Sequence, residues 1–413
     1  MHTISQLKAG ELTGIKRLSL SENLTAFPME ILTLADSLEI LDLSNNQLTS
    51  LPDEIAQLPH LKIIFASNNL FTSLPKILGA CPLLEMVGFK SNKIIDVADE
   101  SLPLQLRWLI LTDNQITHLP ETLGKRPRLQ KLALAGNCLT HLPNSMDELI
   151  NLELLRLSAN QLAEFPKQLL SLPKLAWFAF SGNPFCQTEL HIESVPEVAS
   201  HDYILEEVLG QGASGIIYKA SWAQPTQHEL TNEIAVKVFK GEVTSDGYPQ
   251  DELQACLKVG SHSNLVKSVA QVNEPNNLAL IMELIPAHFK NLGLPPNFET
   301  CTRDTFEDNF QLPINDIKKI ILQMEEVFNY LHDNQVCHGD LYAHNTLYDE
   351  ESNIIFGDFG AATMYHMLPL PVQAVIKAIE KRALNHFIDD LLSICVPEEM
   401  KTDIYQHLSS QLK

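Results

Sequence analysis

The sequence predicts two folds in tandem: an α/β solenoid over about residues 14–188, then a separate α+β domain over 201–413. Three observations predict them. An asparagine recurs every 22 or 23 residues through the first half, each time eight positions after an apolar residue. A glycine-rich stretch at 210–215 is followed by an apolar segment carrying one lysine, Lys237. Two short motifs, HGDLYAHN at 338–345 and GDFG at 357–360, follow in that order.

The bulk properties bound the answer. At 413 residues the chain exceeds one ordinary core and suits two. An apolar content of 45% and a mean hydropathy of −0.02 fit a folded globular chain. The apolar runs are only a few residues long, far short of the ~20 a membrane helix needs. The opening MHTISQLKAGELTGIK lacks a basic segment followed by an apolar one, so no secretory signal is expected. Seven scattered cysteines with no CxxC pair read as reduced thiols in a cytoplasmic protein, neither zinc knuckle nor disulfide framework. A formal charge of −22, from 29 basic and 51 acidic residues, disfavours nucleic acid and anionic membrane as partners.

The repeat comes first in the chain and in the argument. Units fitting LxxLxLxxNxL start at Ile15, Leu38, Leu61, Leu84, Leu106, Leu129, Leu152 and Leu175. Their ninth positions are Asn23, Asn46, Asn69, Asn92, Asn114, Asn137, Asn160 and Asn183. The xLxLx part is expected to form a short strand whose alternate leucines point inward, and stacking units makes a core that one unit cannot make alone. The asparagine is expected to be a buried amide satisfying backbone groups at the turn, because an orphaned polar group there would cost about 1–3 kcal/mol. Prolines in Leu51-Pro52, Leu74-Pro75, Leu119-Pro120, Leu142-Pro143 and Phe165-Pro166 are expected to end the strand ladder and shape the convex side. The segment resembles the leucine-rich-repeat family, eight repeats in all.

In such a solenoid the strand positions facing away from the core line the concave side. They include Arg156 together with Ile40, Ile63, Phe65, Met86, Trp108, Ile110, Leu154 and Trp177, and these eight apolar residues are expected to give an exposed stripe. An exposed stripe of this kind marks a contact surface. Two readings stay open: capture of a protein partner through Phe65, Met86, Trp108 and Trp177, or docking of the chain's own second half.

A linker is expected at 189–200. Beyond it Gly210, Gly212 and Gly215 form GxGxxG, and the β-branched pair Ile216-Ile217 after them predicts a strand–turn–strand hairpin rather than a turn into a helix. In IAVKVF (234–239) a lysine within a buried strand needs a partner for its ammonium, and Glu252 on the helical DELQACLKVG offers one. LALIMELI (278–285) reads as a strand running into a connector, with Met282 at its inner end.

With HGDLYAHN and DFG added, the ordered set resembles the protein-kinase family over nearly all of 201–395. The resemblance implies a two-lobed α+β fold with a shortened C-terminal lobe, using ATP and Mg2+. It implies nucleotide contacts from Gly210, Gly212, Gly215 and Ile217, from Lys237 held by Glu252, and from the Glu283 and Ile285 backbone. Asp340 would orient and deprotonate the acceptor hydroxyl, with Lys237 and Asn345 as its catalytic companions; Asn345 and Asp358 would bind magnesium. His338 and Phe359 are expected to be packing residues. The sequence departs from the family at four points. Gly339 stands where an arginine usually precedes the catalytic aspartate, and Tyr342 where serine/threonine kinases carry a lysine. No APE motif follows DFG, which makes Glu380 the expected anchor of the catalytic loop; and the lobe after it is short. Tyr342 leaves the acceptor class unreadable from the loop itself, while DFG and the attached repeats favour a protein acceptor, so a protein kinase, serine/threonine by class, is the leading expectation. A small-molecule phosphotransferase resembling aminoglycoside kinases and a nucleotide-binding pseudokinase remain as alternatives.

Overall fold

The computed structural model describes residues 1–186, 195–212, 214–224, 233–240, 243–275 and 277–412. Residues 189–194 of the expected linker lie outside the described residues, as do the last two residues of the expected repeat segment. By contacts the chain groups into two compact units: Met1–Leu175 with Asn183–Phe185, and Ala176–Gly182 with Cys186–Lys413.

In the first unit, after a short capped helix α1 (Ile4–Lys8), each repeat gives one three-residue strand. These are β1 (Arg17–Ser19), β2 (Ile40–Asp42), β3 (Ile63–Phe65), β4 (Met86–Gly88), β5 (Trp108–Ile110), β6 (Lys131–Ala133) and β7 (Leu154–Arg156). They pair parallel and in register, Leu18 beside Leu41, Leu41 beside Ile64, and so on to Leu155. The central residue of each strand is almost fully buried, as the period-two pattern requires. On the opposite side the prolines have a more definite role than ending a ladder. Pro28, Pro52, Pro75, Pro120, Pro143 and Pro166 each directly precede a short 3-10 helix. The proline carbonyl accepts that helix's first hydrogen bond, as in Ile55 N–H to Pro52 at 3.2 Å, and the missing proline N–H is one that no helix start needs.

The asparagines form a ladder. Asn137 Nδ2 donates to the carbonyls of Leu111 (2.9 Å) and Leu134 (3.0 Å), while its Oδ1 accepts from Ile116 N–H (3.0 Å). Each such amide thus ties its own turn to the one before. The seven from Asn46 to Asn183 are buried. Asn23 is the exception: it faces solvent at φ +56°, since among the described residues there is no earlier repeat turn for it to bridge.

The concave face departs from the expected open stripe. Met86 is 1% exposed, flanked in register by Ile63 and Trp108, and Ile63, Leu154 and Arg156 are buried too. Ile40, Phe65, Trp108 and Ile110 keep partial exposure. The Phe65 ring lies across Gly88, where a Cβ would come within 2.5 Å of it, and Lys131 Nζ sits 4.2 Å from the centre of the Trp108 ring.

The second unit opens with the strand of the eighth repeat, β8 (Trp177–Ala179). Then come β9 (Tyr203–Gln211), β10 (Gly215–Trp222), β11 (Glu233–Phe239), helix α2 (Pro249–Val259), β12 (Ser268–Glu274) and β13 (Asn277–Glu283). The five strands form an antiparallel sheet in the order β12-β13-β11-β10-β9, so the glycine-rich segment is a hairpin between β9 and β10, as the sequence predicts. One sheet face packs Ile234, Val236, Ala270 and Ile281. The other packs Ala235, Leu280 and Met282 against Leu253 of α2, with Ile217 over them.

The second lobe is built on α3 (Ile314–Asp333), whose Ile317, Ile320, Ile321, Met324, Val327, Phe328 and Leu331 are buried at helical spacing. Around it lie β14 (Lys290–Asn291), β15 (Val336–Cys337), β16 (Thr346–Tyr348), β17 (Ile354–Phe356) and β18 (Thr363–Met364), then α4 (Leu370–Ser393) and α5 (Asp403–Ser410). β14, β16 and β17 make a small sheet, and β15 pairs with β18. Between β15 and β16 runs the 338–345 loop, and between β17 and β18 the 357–360 turn.

Asn137→Ala is expected to lower stability by about 2–4 kcal/mol, because it strands two carbonyls and an N–H in the core. Asn23→Ala should cost clearly less, about 1 kcal/mol, arising from its left-handed backbone, which alanine tolerates less well than asparagine. Urea unfolding of the full chain measures both, and equal losses would refute the ladder's role.

Candidate active site

Lys237 enters the site from the middle of β11, with Val236 and Val238 facing the other side of the sheet. A buried ammonium needs countercharge, and two carboxylates meet it. Glu252, in the first turn of α2 and only 3% exposed, makes a very short contact to Lys237 Nζ through Oε1. Asp358 Oδ1 lies 3.7 Å from the same Nζ. Burial works against the charged amine, but Glu252 and Asp358 outweigh it and hold the Lys237 pKa above its ordinary value. Asp358 has the complementary balance: desolvation opposes its charge, yet Lys237 holds the carboxyl below the usual range.

Asp358 also carries backbone strain. It sits at φ +59°, ψ 75°, an uncommon left-handed conformation for a residue with a side chain. Its Oδ1 accepts the Gly360 N–H at 3.4 Å, capping the turn Phe359–Ala361. Phe359 is buried, and His338 is fully buried against Phe356, with ring centres 4.1 Å apart, so both are packing residues.

Asp340 and Asn345 form the second pair. Asn345 Nδ2 donates to Asp340 Oδ2 at 3.0 Å and to the Asp340 carbonyl at 3.2 Å, which leaves Oδ1 as the amide's remaining polar atom. The two pairs are tied through the backbone: Gly357 N–H donates to Asn345 O at 3.4 Å, and His338 Nε2 lies 3.0 Å from Gly357 O. The loop has two further anchors. Glu380 of α4 accepts the N–H groups of His338 (2.8 Å) and Gly339 (2.9 Å) through Oε1, the function expected of it. Asp304, which the sequence reading missed, accepts the Ala343 and His344 N–H groups through Oδ2 and pairs with His344 Nδ1 at 2.6 Å through Oδ1. It lies some forty positions upstream in a stretch without periodicity, so only the fold reveals it.

The remaining expected residues line the first lobe. Ile217 pairs across the strands with both Lys237 and Gly210. Gly215 is required by the chain itself, since a Cβ there would stand 2.6 Å from the Val238 carbonyl. At Gly210 and Gly212 a Cβ would meet nothing within 4 Å, so the bare backbone there borders open space. At the connector after β13 the Glu283 N–H is committed to Lys267 O at 3.0 Å, so any contact from Glu283's main chain must come from its carbonyl.

A glycine hairpin, a strand lysine paired to a helix glutamate, an anchored aspartate–asparagine loop and a strained aspartate–phenylalanine–glycine turn together define a class. The chain carries leucine-rich repeats followed by a protein kinase domain. The family model described as "Protein kinase domain" matches residues 203–375, and two leucine-rich-repeat models match 105–162 and 36–79. Among curated proteins, an L-type lectin-domain containing receptor kinase of Arabidopsis thaliana is 30% identical over 160 residues, which is 38% of this chain and 20% of that protein. A probable serine/threonine-protein kinase of Dictyostelium discoideum is 26% identical over 171 residues, 41% of this chain and 17% of that protein. Both matches therefore span a fifth or less of the relative's own length. Of solved structures, a leucine-rich-repeat protein of Leptospira interrogans matches at 27% identity and a TM-score of 0.29, covering 43% of this chain and 57% of that one. No helix among the described residues is long and apolar enough to cross a membrane.

Burial pushes the Glu380 carboxyl up to about 7, against the two N–H groups that favour its charge. His332, 3.7 Å away, gives it no cation, because burial holds that imidazole down to about 4. The folded state therefore keeps a proton on Glu380 that the unfolded chain releases near its ordinary 4.5. Stability from this group is full below about 4.5 and is lost as pH rises through about 7, by up to ~3 kcal/mol. Between pH 5 and pH 8 the parent should lose more urea stability than Glu380→Gln, which keeps an acceptor but cannot titrate. Identical pH dependence would exclude a buried titrating Glu380.

Proposed function

We propose that the chain is an ATP-dependent protein kinase, a serine/threonine kinase by class, transferring the γ-phosphoryl group of ATP to a protein hydroxyl. One observation supports this reading: Lys237 lies between Glu252 and Asp358, Asp340 is bonded to Asn345, and the Gly357 N–H joins the two groups at the Asn345 carbonyl. Structural ion pairs need no carboxylate bonded to an amide beside them.

The roles follow from the donor sets. Lys237, kept protonated by its two carboxylates, supplies a fixed positive charge for the α- and β-phosphates. The backbone of Gly210, Gly212 and Gly215 covers phosphate, with no Cβ at the first two to hold it off. Ile217 covers the base from β10, and the Glu283 carbonyl with the Ile285 main chain would hold its edge. Asp340, oriented by Asn345 Nδ2, accepts the proton of the acceptor hydroxyl as the phosphoryl group arrives. Asp358 Oδ atoms and Asn345 Oδ1 are hard oxygen donors that fit magnesium, and the lowered Asp358 pKa keeps that carboxylate ionised. Magnesium bound there would neutralise charge on the transferring group.

Of the concave repeat positions, partly exposed Phe65 and Trp108 support capture of a protein partner, while Met86 and Trp177 are too buried to take part. Seven free thiols and the acidic charge fit a cytoplasmic protein.

Asp340→Asn should lower phosphotransfer by about 10²–10⁴-fold with nucleotide binding within a few-fold of the parent. The assay is ATP turnover by the full chain with magnesium, with and without generic peptide and aminoglycoside. Phosphate on protein supports this reading; phosphate on the aminoglycoside or equal turnover by the variant sinks it. Trp108→Ala and Phe65→Ala should weaken partner capture with less than ~1 kcal/mol change in full-chain stability, measured by pull-down and urea melt.

A further inference from the structure

The seven residues Ala176–Gly182 belong by sequence to the eighth repeat and by contacts to the second unit. Trp177 was expected on an open concave face and is instead 1% exposed. Its ring is stacked between Tyr342 (centres 5.0 Å apart, planes 1° apart) and His386 of α4 (5.1 Å, 13°). Tyr342 in turn lies 4.8 Å from the His344 ring, which Asp304 holds. Trp177 Nε1 donates to the Leu341 carbonyl at 2.9 Å, one residue from Asp340.

The same segment reaches the other functional elements. A Cβ on Gly339, at φ +72°, would stand 2.6 Å from the Phe178 carbonyl and 2.9 Å from that of Ala361. Glycine at 339 thus permits the strand, the loop and the turn after DFG to approach each other. Phe180 N–H lies 3.4 Å from Thr363 Oγ1. A Cβ on Gly182 would clash at 2.7 Å with the Tyr248 ring and at 2.8 Å with Asp251, the two residues flanking the start of α2, next to Glu252.

From this convergence we propose that Ala176–Gly182 is a built-in positioning strut, with Trp177 as its key. It holds loop 339–345, turn 358–361 and the start of α2 in their mutual arrangement, so phosphotransfer geometry is set by the chain's own eighth repeat. Trp177 is a positioning residue: it acts on Asp340 through Leu341 and Tyr342 and touches no reacting atom. The stack holds the Tyr342 ring and the indole N–H holds the Leu341 carbonyl, so the two contacts restrain adjacent residues of the loop. The proposal rests on the phosphotransfer reading above.

The test compares the full chain, Trp177→Phe and Trp177→Ala. Trp177→Ala should lower kcat about 10–100-fold, the scale set by misplacing a catalytic group by about 1 Å, with KM for ATP and nucleotide Kd within three-fold. Trp177→Phe keeps a ring in the stack and loses the N–H bond to the Leu341 carbonyl, so it should recover half or more of that loss on a logarithmic scale but stay measurably below the parent. In hydrogen exchange Trp177→Ala should deprotect amides 338–345 and leave 203–222 unchanged. Unaltered kcat and unaltered loop protection in Trp177→Ala overturn the strut and leave the kinase reading standing. If Trp177→Ala fails to fold, Trp177→Phe decides: the same kcat and loop protection as the parent overturn the strut. A parent without turnover removes the kinase reading, and the strut's role in catalysis with it.

Discussion

The cleft depends on one buried amine. Taking Lys237 out of water costs several kcal/mol unless countercharge is supplied at contact distance. The countercharge comes from two elements, Glu252 on α2 and Asp358 on the turn after β17. Moving Glu252 away takes the contact partner from a buried ammonium and leaves only Asp358 at 3.7 Å, so the pair locks α2 against β11, while Asp358 draws the 357–360 turn to the same amine. The left-handed backbone of Asp358 is the local cost of that demand. Interactions elsewhere in the lobe, such as Val266 N–H to the Phe356 carbonyl, act on parts already constrained by the ion triad.

A parallel logic runs through the repeats, in neutral form. There the buried group is an amide, and each asparagine after Asn23 satisfies donors and acceptors of its own turn and the turn before. Stacking is thereby directional, because each rung needs the previous one. The glycines at 79 and 124 mark where the opposite side comes equally close: a Cβ would meet the Glu100 carbonyl at 2.0 Å and the Ser145 carbonyl at 2.2 Å.

Much of this was legible in the sequence because it is periodic or because it is motif chemistry. The asparagine spacing declares the repeat, and a lysine in IAVKVF calls for an acid. What period two cannot tell is what lies over an outward-facing side chain. It identifies the face that Trp177 and Met86 share with Phe65, and nothing in it distinguishes water from Tyr342 or His386. Asp304 escaped for a related reason: its worth lies in pairing with His344, and neither residue has a local pattern. Glu380 could be anticipated because α4 places it on a helix whose neighbours repeat, and a loop without the usual aspartate needs an acceptor.

Gly339 and Tyr342 look at first like losses, each removing a cation from beside Asp340. The structure gives both a positive reason. A side chain at 339 would push away the Phe178 and Ala361 carbonyls, and the Tyr342 ring is half of a stack a lysine could not form. The exchange alters the charge of the cleft. Among Lys237, Glu252, Asp340, Asn345 and Asp358 the formal balance is −2, three carboxylates to one ammonium. For the proposed phosphate substrate this sets up repulsion that Lys237 alone does not cancel. Under the proposed reading the chain has exchanged mobile charge for rigid packing: the loop is held by rings and amides, and neutralisation of the phosphates is left to cations supplied from solution.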